Sequence, residues 1–274
     1  MFVSVDEKHV TEEWSDFTLI LPAVSIGNVG QLTMDLITSS LSPNCYHIGY
    51  LHDPCILPVV GNDALVESSS SSGKLNVSAE VYKNDDHKLV LLQLRAPLVK
   101  GCQAKFCKKV VTWVNECHFK QVLVLSSVNA IERVDSQIEG SPLRYLLSPS
   151  AKTLIPLFNE LSWKELEKRA KFPDANEEST KEEEFFLPGG GFTKKLYEEC
   201  CRENISLAVV LTFCSEGDNI SDAVNLFLFV NEWLSLVPRK EVEDAFSGKS
   251  NSFMIPASWC LMFGSPVHPQ GNLF

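Results

Sequence analysis

The sequence has no long hydrophobic run. Its wholly apolar stretches, such as 89–92 and 207–211, fall far short of the roughly 20 residues that a membrane helix needs. Positive charge is scarce as well: 24 Lys and Arg stand against 35 Asp and Glu, a net charge of −11. Nucleic acids and anionic membranes are bound by clustered cations that displace counterions, so this balance argues against both. The first residues show neither a basic leader nor an apolar signal core, and the expectation is a soluble intracellular protein. Nine cysteines, an odd number scattered along the chain, do not make a disulfide framework and are read as reduced thiols. A fixed-period repeat and a G-x-S-x-G nucleophile elbow are also missing.

What is present is enough for a core. Hydrophobic residues make up 45% and charged ones 22%, and a chain of this length buries roughly three quarters of its unfolded surface. Residues 16–21 read as a strand, followed by a turn at 22–28 and a helix whose apolar set is Val29, Leu32, Leu36, Ile37 and Leu41. Short β-like runs at 46–51 and 56–60 are punctuated by prolines, and Ser68 to Ser72 make a polar loop. Runs 75–81 and 88–94 flank Asn84-Asp85-Asp86 and predict an antiparallel hairpin. Phe106, Val110, Trp113 and Val114 mark a helix, and 121–125 a buried strand. A helix at 193–201, a strand at 205–213 and a long helix at 219–237 follow, the last capped by Asp218 or Asn219. Strands interleaved with helices predict an α/β sandwich with a mixed sheet, as one domain over 1–264. The polar stretch 162–184, with 172–181 as a solvated excursion, interrupts it, and residues 265–274 form an extended tail.

Candidate chemistry is sparse. Gly27-Asn28-Val29-Gly30 opens a helix, where free N–H groups can cradle a phosphate, although it lacks the spacing of a dinucleotide fingerprint and the Lys-Ser/Thr pair of a P-loop. Tight turning is the simpler use of those glycines. Gly189, Gly190 and Gly191 leave the backbone free for positive φ at another helix start, as an anion site, a hinge or a close interface. Ser126 and Ser127 end a buried strand, with His52 or His118 as conceivable bases, but nothing in the sequence ties them together. Cys102, Cys107, Cys117 and His118 lack the spacing of a zinc knuckle, and Cys200 and Cys201 are consecutive on a helix, so no metal is expected. The helix at 219–237 is apolar almost all round: Ile220, Val224, Phe227 and Val230 make one stripe, and Leu226, Phe229, Trp233 and Leu236 extend it. Such a helix is either internal or shared with another protein. Phe274 at the carboxyl end is a further apolar anchor.

Several unrelated segments agree on one resemblance. The runs Leu21-Pro22-Ala23-Val24-Ser25-Ile26-Gly27-Asn28-Val29-Gly30-Gln31-Leu32, Pro142-Leu143-Arg144-Tyr145-Leu146-Leu147, Leu187-Pro188-Gly189-Gly190-Gly191, Ser215-Glu216-Gly217-Asp218-Asn219-Ile220 and Ile255-Pro256-Ala257-Ser258-Trp259 are similar, in order, to the proteasome assembly chaperones. The resemblance implies a three-layer α/β sandwich related to nucleoside-phosphorylase-like domains but without their catalytic site. It also implies a cytoplasmic and nuclear protein that is not an enzyme, needs no cofactor, and forms a heterodimer with proteasome assembly chaperone 1. That heterodimer holds α-subunits of the core proteasome, promotes the seven-membered α-ring and suppresses pairing between α-rings. Family tails end hydrophobic-Tyr-any residue; here the positions are Asn272-Leu273-Phe274, a departure that makes this tail the weaker anchor. The partner-binding residues expected are therefore Leu273, Phe274, Gly189, Gly190, Gly191, Phe229 and Trp233. The rival expectation is a nucleoside- or phosphate-binding α/β enzyme built on the Gly27–Gly30 loop.

Overall fold

Strands buried on both faces need unbroken apolar runs, and the runs read above become the middle of one sheet. The computed structural model describes residues 1–6, 13–65, 74–170, 183–238, 240, 255, 256, 258 and 259. In chain order the strands are β1 (Phe2–Ser4), β2 (Thr18–Pro22), β3 (Cys45–Leu51), β4 (Val60–Asn62), β5 (Leu75–Val77), β6 (Ala79–Asn84), β7 (Leu89–Leu94), β8 (Gln121–Asn129), β9 (Leu143–Leu147), β10 (Arg169–Ala170), β11 (Glu183–Glu184) and β12 (Leu207–Cys214). The helices are α1 (Val29–Ser40), α2 (Gln103–Glu116), α3 (Asp135–Ile138), α4 (Ile155–Glu160), α5 (Thr193–Arg202) and α6 (Ile220–Leu234).

Eight strands form one sheet in the order β1-β3-β6-β7-β2-β8-β12-β9, and β4–β5 and β10–β11 form two small pairs. The four central strands, β7, β2, β8 and β12, run parallel. Antiparallel strands flank them: β9 beside β12, and β6, β3 and β1 on the other side. The sheet is thus mixed, with the β6–β7 hairpin in its antiparallel part as the sequence predicts.

Side-chain alternation divides the core in two. Leu19, Leu21, Val122, Val124, Leu207 and Val209 face α2 and α5, packed with Phe106, Val110, Trp113 and Leu196. Ile20, Leu123, Leu125, Ala208 and Val210 face the opposite layer, packed with Val29, Met34 and Ile37 of α1 and Ala223, Phe227 and Val230 of α6. Each fully buried Leu or Val contributes about 1.5–3 kcal/mol, so both layers are held by the same strands.

Several expected elements differ. The run 56–60 is not a strand: Ile56 makes a lone bridge to Leu98, and pairing begins at Val60, because Pro54 and Pro58 have no N–H to give. The run 75–81 breaks at Ser78, whose hydroxyl bonds to Leu57 O at 2.8 Å and to Val59 N–H at 2.7 Å, so β5 and β6 serve different sheets. β8 extends past Leu125 through two serines, which pair with Leu211 and Thr212. α6 stops at Leu234; Ser235 turns left-handed, φ 51°, and the Asn231 side chain holds Val237 back against the core. Asp218, not Asn219, accepts from the first N–H of α6, at 3.1 Å from Ile220 N. The polar stretch starts inside the fold, with Trp163 and Leu166 buried beside β9. Ser68 to Ser72, 172–181 and the tail 265–274 lie outside the described residues.

Candidate functional site

The C-terminal ends of parallel strands are where open α/β folds usually bind ligands. Here β2, β8 and β12 point their C-terminal ends the same way, β8 and β12 running on past the end of β2, and the turn after β2, the end of β8, the Gly189–Gly191 turn and the start of α6 lie along that edge. Ile26 donates its N–H to Gly189 O at 2.8 Å, and Asn129 donates to Pro188 O at 2.9 Å. Gly191, at φ +61°, lies against Val24 so closely that a Cβ would come 2.2 Å from the carbonyl oxygen. Gly189, at φ +75°, packs on Ile26. The hydroxyls are also engaged: Ser25 and Ser127 Oγ are 2.7 Å apart, Ser126 and Thr193 hydroxyls 2.8 Å, and Thr193 donates to Gly190 O at 2.6 Å. The triglycine turn therefore plugs the crevice with the chain's own backbone.

The Gly27–Gly30 loop is used in packing. Gly27, at φ +67°, lies on the Asn219 side chain, and a Cβ at Gly30 would stand 2.4 Å from Leu125 O. The N–H of Asn28 within the loop is already donated to Ser25 O, and that of Ile26 just before it to Gly189 O. The Asn219 amide nitrogen bonds to Ser215 O and to Asp222 Oδ2, each at 2.8 Å, which fixes the side chain under the loop.

The imagined bases are not brought to the serines. His118 precedes the start of β8, its Nδ1 3.0 Å from Glu116 O, whereas Ser126 and Ser127 lie in the strand's second half. His52 follows β3 and lines a trough elsewhere. Ser127 directs its hydroxyl to Ile26 O at 2.5 Å, so it is not poised toward a base. Cys102 and Cys117 cap opposite ends of α2, about 20 Å apart at 1.5 Å per residue. Cys107 is buried in the same helix, and desolvation pushes its thiol up to about 12. Among the described residues no three His, Cys, Asp or Glu side chains could share a metal.

The side chains expected to bind a partner fall into separate places. Phe229 and Trp233 are half-buried on α6. Trp233 meets Phe158 edge-on at 5.0 Å and Phe229 meets Trp163 edge-on at 6.2 Å, so the excess apolar surface of α6 is largely spent on α4 and the segment after it. Gly189 and Gly191 are exposed on the plug and Gly190 is buried beneath them. Beside the plug stands an exposed rim: Ile131 at 83%, with Ile138 and Phe186. Arg169 lies in this rim, its guanidinium 4.8 Å from the Phe186 ring centroid and bonded to Gln137 Oε1 at 3.0 Å. Leu273 and Phe274 are outside the described residues.

Sequence reading misses a larger surface. Val3, Val5, Tyr50, Leu57, Val59, Val60 and Leu75 are all exposed on or near β1, β3 and the β4–β5 pair. They border a trough of about 650 Å³ that includes Val3, Tyr50, Leu51, Ile56, Pro58 and Val77. β1 is the last strand of the sheet, and among the described residues no strand pairs with its outer edge. A three-residue strand gives too short a period to be seen, and prolines hide the rest.

Comparison with known proteins settles the kinship. The PAC2 family profile matches residues 19–236. The chain belongs to the PAC2 family. It is 53% identical over 242 residues to proteasome assembly chaperone 2 of Nematostella vectensis, covering 88% of this chain and 99% of that one. It is 42% identical to the Homo sapiens protein of the same name over 272 residues, 98% of this chain and 99% of that one. Among solved structures, Pyrococcus furiosus PbaA, an archaeal homolog of proteasome-assembly chaperone, superposes with a TM-score of 0.60 at 16% identity, over 88% of this chain and 92% of that one. Pyrococcus furiosus PbaB, an archaeal proteasome activator, gives 0.57 at 12% identity, over 89% and 93%. At such identities the two archaeal structures speak for the PAC2 fold alone. The family match runs from β2 to the end of α6, so it takes in the strand-end turn, the plug and the aromatic side of α6.

Proposed function

We propose that this PAC2-family chain is a proteasome assembly chaperone that acts by binding, in the cytoplasm and nucleus, without making or breaking bonds. It pairs with proteasome assembly chaperone 1, and the heterodimer holds α-subunits, favours closure of the α-ring and keeps α-rings from pairing with each other. The observation that carries this reading is the near full-length similarity to relatives named proteasome assembly chaperone 2. The plugged strand-end crevice supports it, since the usual ligand position of such a sheet is filled by Gly189–Gly191. A three-layer, nucleoside-phosphorylase-like architecture without the catalytic site belongs to the same reading.

The two exposed surfaces suit different contacts. Permanent interfaces are apolar and resemble a core cut in half, which fits the β1 trough and makes it the seat of the partner chaperone. Transient contacts mix apolar and charged groups, which fits the rim of Ile131, Ile138, Phe186 and Arg169 beside Gly189 and Gly191, and assigns it to α-subunits. Phe229 and Trp233, packed on Trp163 and Phe158 toward the β9 end of the sheet, lie away from the β1 trough and are not assigned to the heterodimer seam, and Leu273 and Phe274 are a secondary anchor on the ring.

Co-expression with proteasome assembly chaperone 1, followed by size exclusion, tests the core of the reading. The expected result is a one-to-one complex. V3D with Y50D abolishes it, whereas I131D with F186D leaves it intact and weakens α-subunit capture. Removal of Leu273 and Phe274 lowers capture only modestly. Two well-behaved monomers that ignore each other would overturn the proposal, as would a clear thermal shift with phosphate or nucleosides.

A further inference from the structure

Between Asp86 and Glu116 the chain carries no carboxylate side chain, although 35 of its 274 residues are Asp or Glu. The same stretch holds six cations: Lys88, Arg95, Lys100, Lys105, Lys108 and Lys109. The last four cluster at the start of α2. Lys109 pairs with Asp53, but Lys100, Lys105 and Lys108 are exposed and, among the described residues, pair with no carboxylate. Helix α5 adds to them. It leaves the plug with Lys194, which pairs with Glu184, and with the exposed Lys195, whose Nζ donates to the neutral Gln103 Oε1 at 2.9 Å. That bond, with Phe106 meeting Phe192 edge-on at 5.4 Å, sets the starts of α2 and α5 side by side.

Such a cluster is unfavourable in the chain by itself. A helix start carries partial positive charge, so carboxylates belong there and cations at the other end. Here the rule is reversed. Neither helix has an acid in its first turn; Lys105 stands in that of α2, Lys194 and Lys195 in that of α5, and α2 closes on Glu116. Lys105 and Lys108, three residues apart on one helix face, also repel each other. A carboxylate-rich surface laid over them offsets all of these repulsions together.

We propose that Lys100, Lys105, Lys108 and Lys195 form a docking surface for an acidic protein partner. On the assembly reading above, on which this rests, the partner is an α-subunit and the face it offers is rich in carboxylates. The lysines continue the rim of Phe186 and Arg169 across the start of α5, at the same strand-end edge, with the Lys194–Glu184 pair between them. An acidic protein suits them better than a nucleic acid or an anionic membrane. Those polyanions reach far beyond four lysines and meet the field of the whole chain, with its net charge of −11. A compact acidic patch is felt within about 8 Å at physiological salt, where only the lysines face it. Exposed charges of this kind speed encounter and fix the orientation of the partner.

The heterodimer carrying K105E with K108E is compared with the parent and with K120E plus K152E, a change of equal charge at two exposed lysines on the opposite edge of the sheet. Association with immobilised α-subunits at low salt slows about tenfold in the first variant and hardly at all in the second, and added salt narrows the gap. The Tm of the first variant is not below that of the parent, since carboxylates suit a helix start, so slower association is not a loss of folding. Acetylation of lysines, read by mass spectrometry, maps the contact without substitution: bound α-subunits protect Lys100, Lys105, Lys108 and Lys195 and spare Lys120 and Lys152. Equal rates for the two double variants, or no protection of the four lysines in a heterodimer that captures α-subunits, overturns the docking surface and leaves the assembly reading standing. If the parent captures no α-subunit, the assembly reading falls, and a decaglutamate peptide decides the surface: it protects those four lysines ahead of Lys120 and Lys152, or the docking surface falls too. Tighter binding of a short DNA duplex or of phosphatidylserine vesicles than of the peptide overturns the choice of an acidic protein.

Discussion

At Gly30 helix α1 approaches β8 so closely that a single methyl group would stand 2.4 Å from Leu125 O, a backbone atom that cannot swing away. Gly30→Ala is therefore expected to lower stability by about 1–3 kcal/mol, the usual penalty of overpacking. Gly191→Ala should lose more, since it meets Val24 O at 2.2 Å and also sits at φ +61°. Gly101→Ala is the control: φ is +82° but the space is open, and about 1 kcal/mol is expected. Urea unfolding of the three variants checks the order. Charge matters at Arg144, which is fully buried and bonds Glu167 through Nε at 3.0 Å while lying over the Phe213 ring. Burial alone would raise the Glu167 carboxyl, but the bonds from Arg144 and Gln137 win and hold it below its ordinary value. A folded pKa below the unfolded one means that the pair stabilises the protein fully above the unfolded value and fades as pH falls through the folded one. Glu167→Gln is expected to lose about 1–3 kcal/mol at neutral pH, discounted for the partly exposed carboxylate, with the gap closing below about pH 4. Urea midpoints across that range decide it; a gap independent of pH would show that the ion pair is not the cause. The sequence displays the glycines and the arginine plainly. Their purposes depend on Leu125, Val24 and Glu167, which no local pattern connects to them.

Among elements, those legible in advance are those with a long buried period. α1, α2, α5 and the strands β2, β7, β8 and β12 carry apolar runs that lie in one or both core layers. β9 is invisible as a strand because Arg144 interrupts its apolar residues, and that charge is tolerable inside because it pairs with Glu167 and donates to Ser141 O and Leu143 O, each at 2.8 Å. The run 75–81 looks continuous because a side-chain turn at Ser78 has no hydrophobic signature. α6 reads as too apolar for a surface helix, and the structure supplies the reason: its flank packs on Phe158 and Trp163. That geometry separates two aromatic truncations. Phe158 is fully buried between Tyr145, Trp163 and Trp233, so Phe158→Ala should lose about 3–5 kcal/mol. Trp233→Ala removes a half-buried ring and should lose roughly half as much. Thermal unfolding of the two variants measures the difference, and equal losses would mean that the Trp233 ring contributes to the core as fully as the Phe158 ring.

For the whole molecule, the decisive feature is that two hydrophobic cores share the same central strands. Leu19 and Ile20, or Leu123 and Val124, are neighbours in sequence yet belong to opposite layers. Neither layer can be lost without stripping one face of the strands that the other needs, so the chain is expected to unfold in one cooperative step. This kind of unity could be inferred from β–α alternation, whereas the β1 trough and the plug arise only when segments distant in sequence meet. Tryptophans are placed to test it. Trp14 and Trp113 lie in the α2/α5 core, and Trp163 and Trp259 lie in the α1/α6 core with Trp233 packed against it. Two multiple variants, one with Trp14→Phe and Trp113→Phe, the other with Trp163→Phe, Trp233→Phe and Trp259→Phe, leave fluorescence reporting on one core at a time. In each variant the fluorescence transition in urea should coincide with the loss of far-ultraviolet circular dichroism, which reports on all strands and helices together. A fluorescence midpoint displaced from the dichroism midpoint in either variant would show that one layer melts while the other persists, and the central strands would then not couple the two cores.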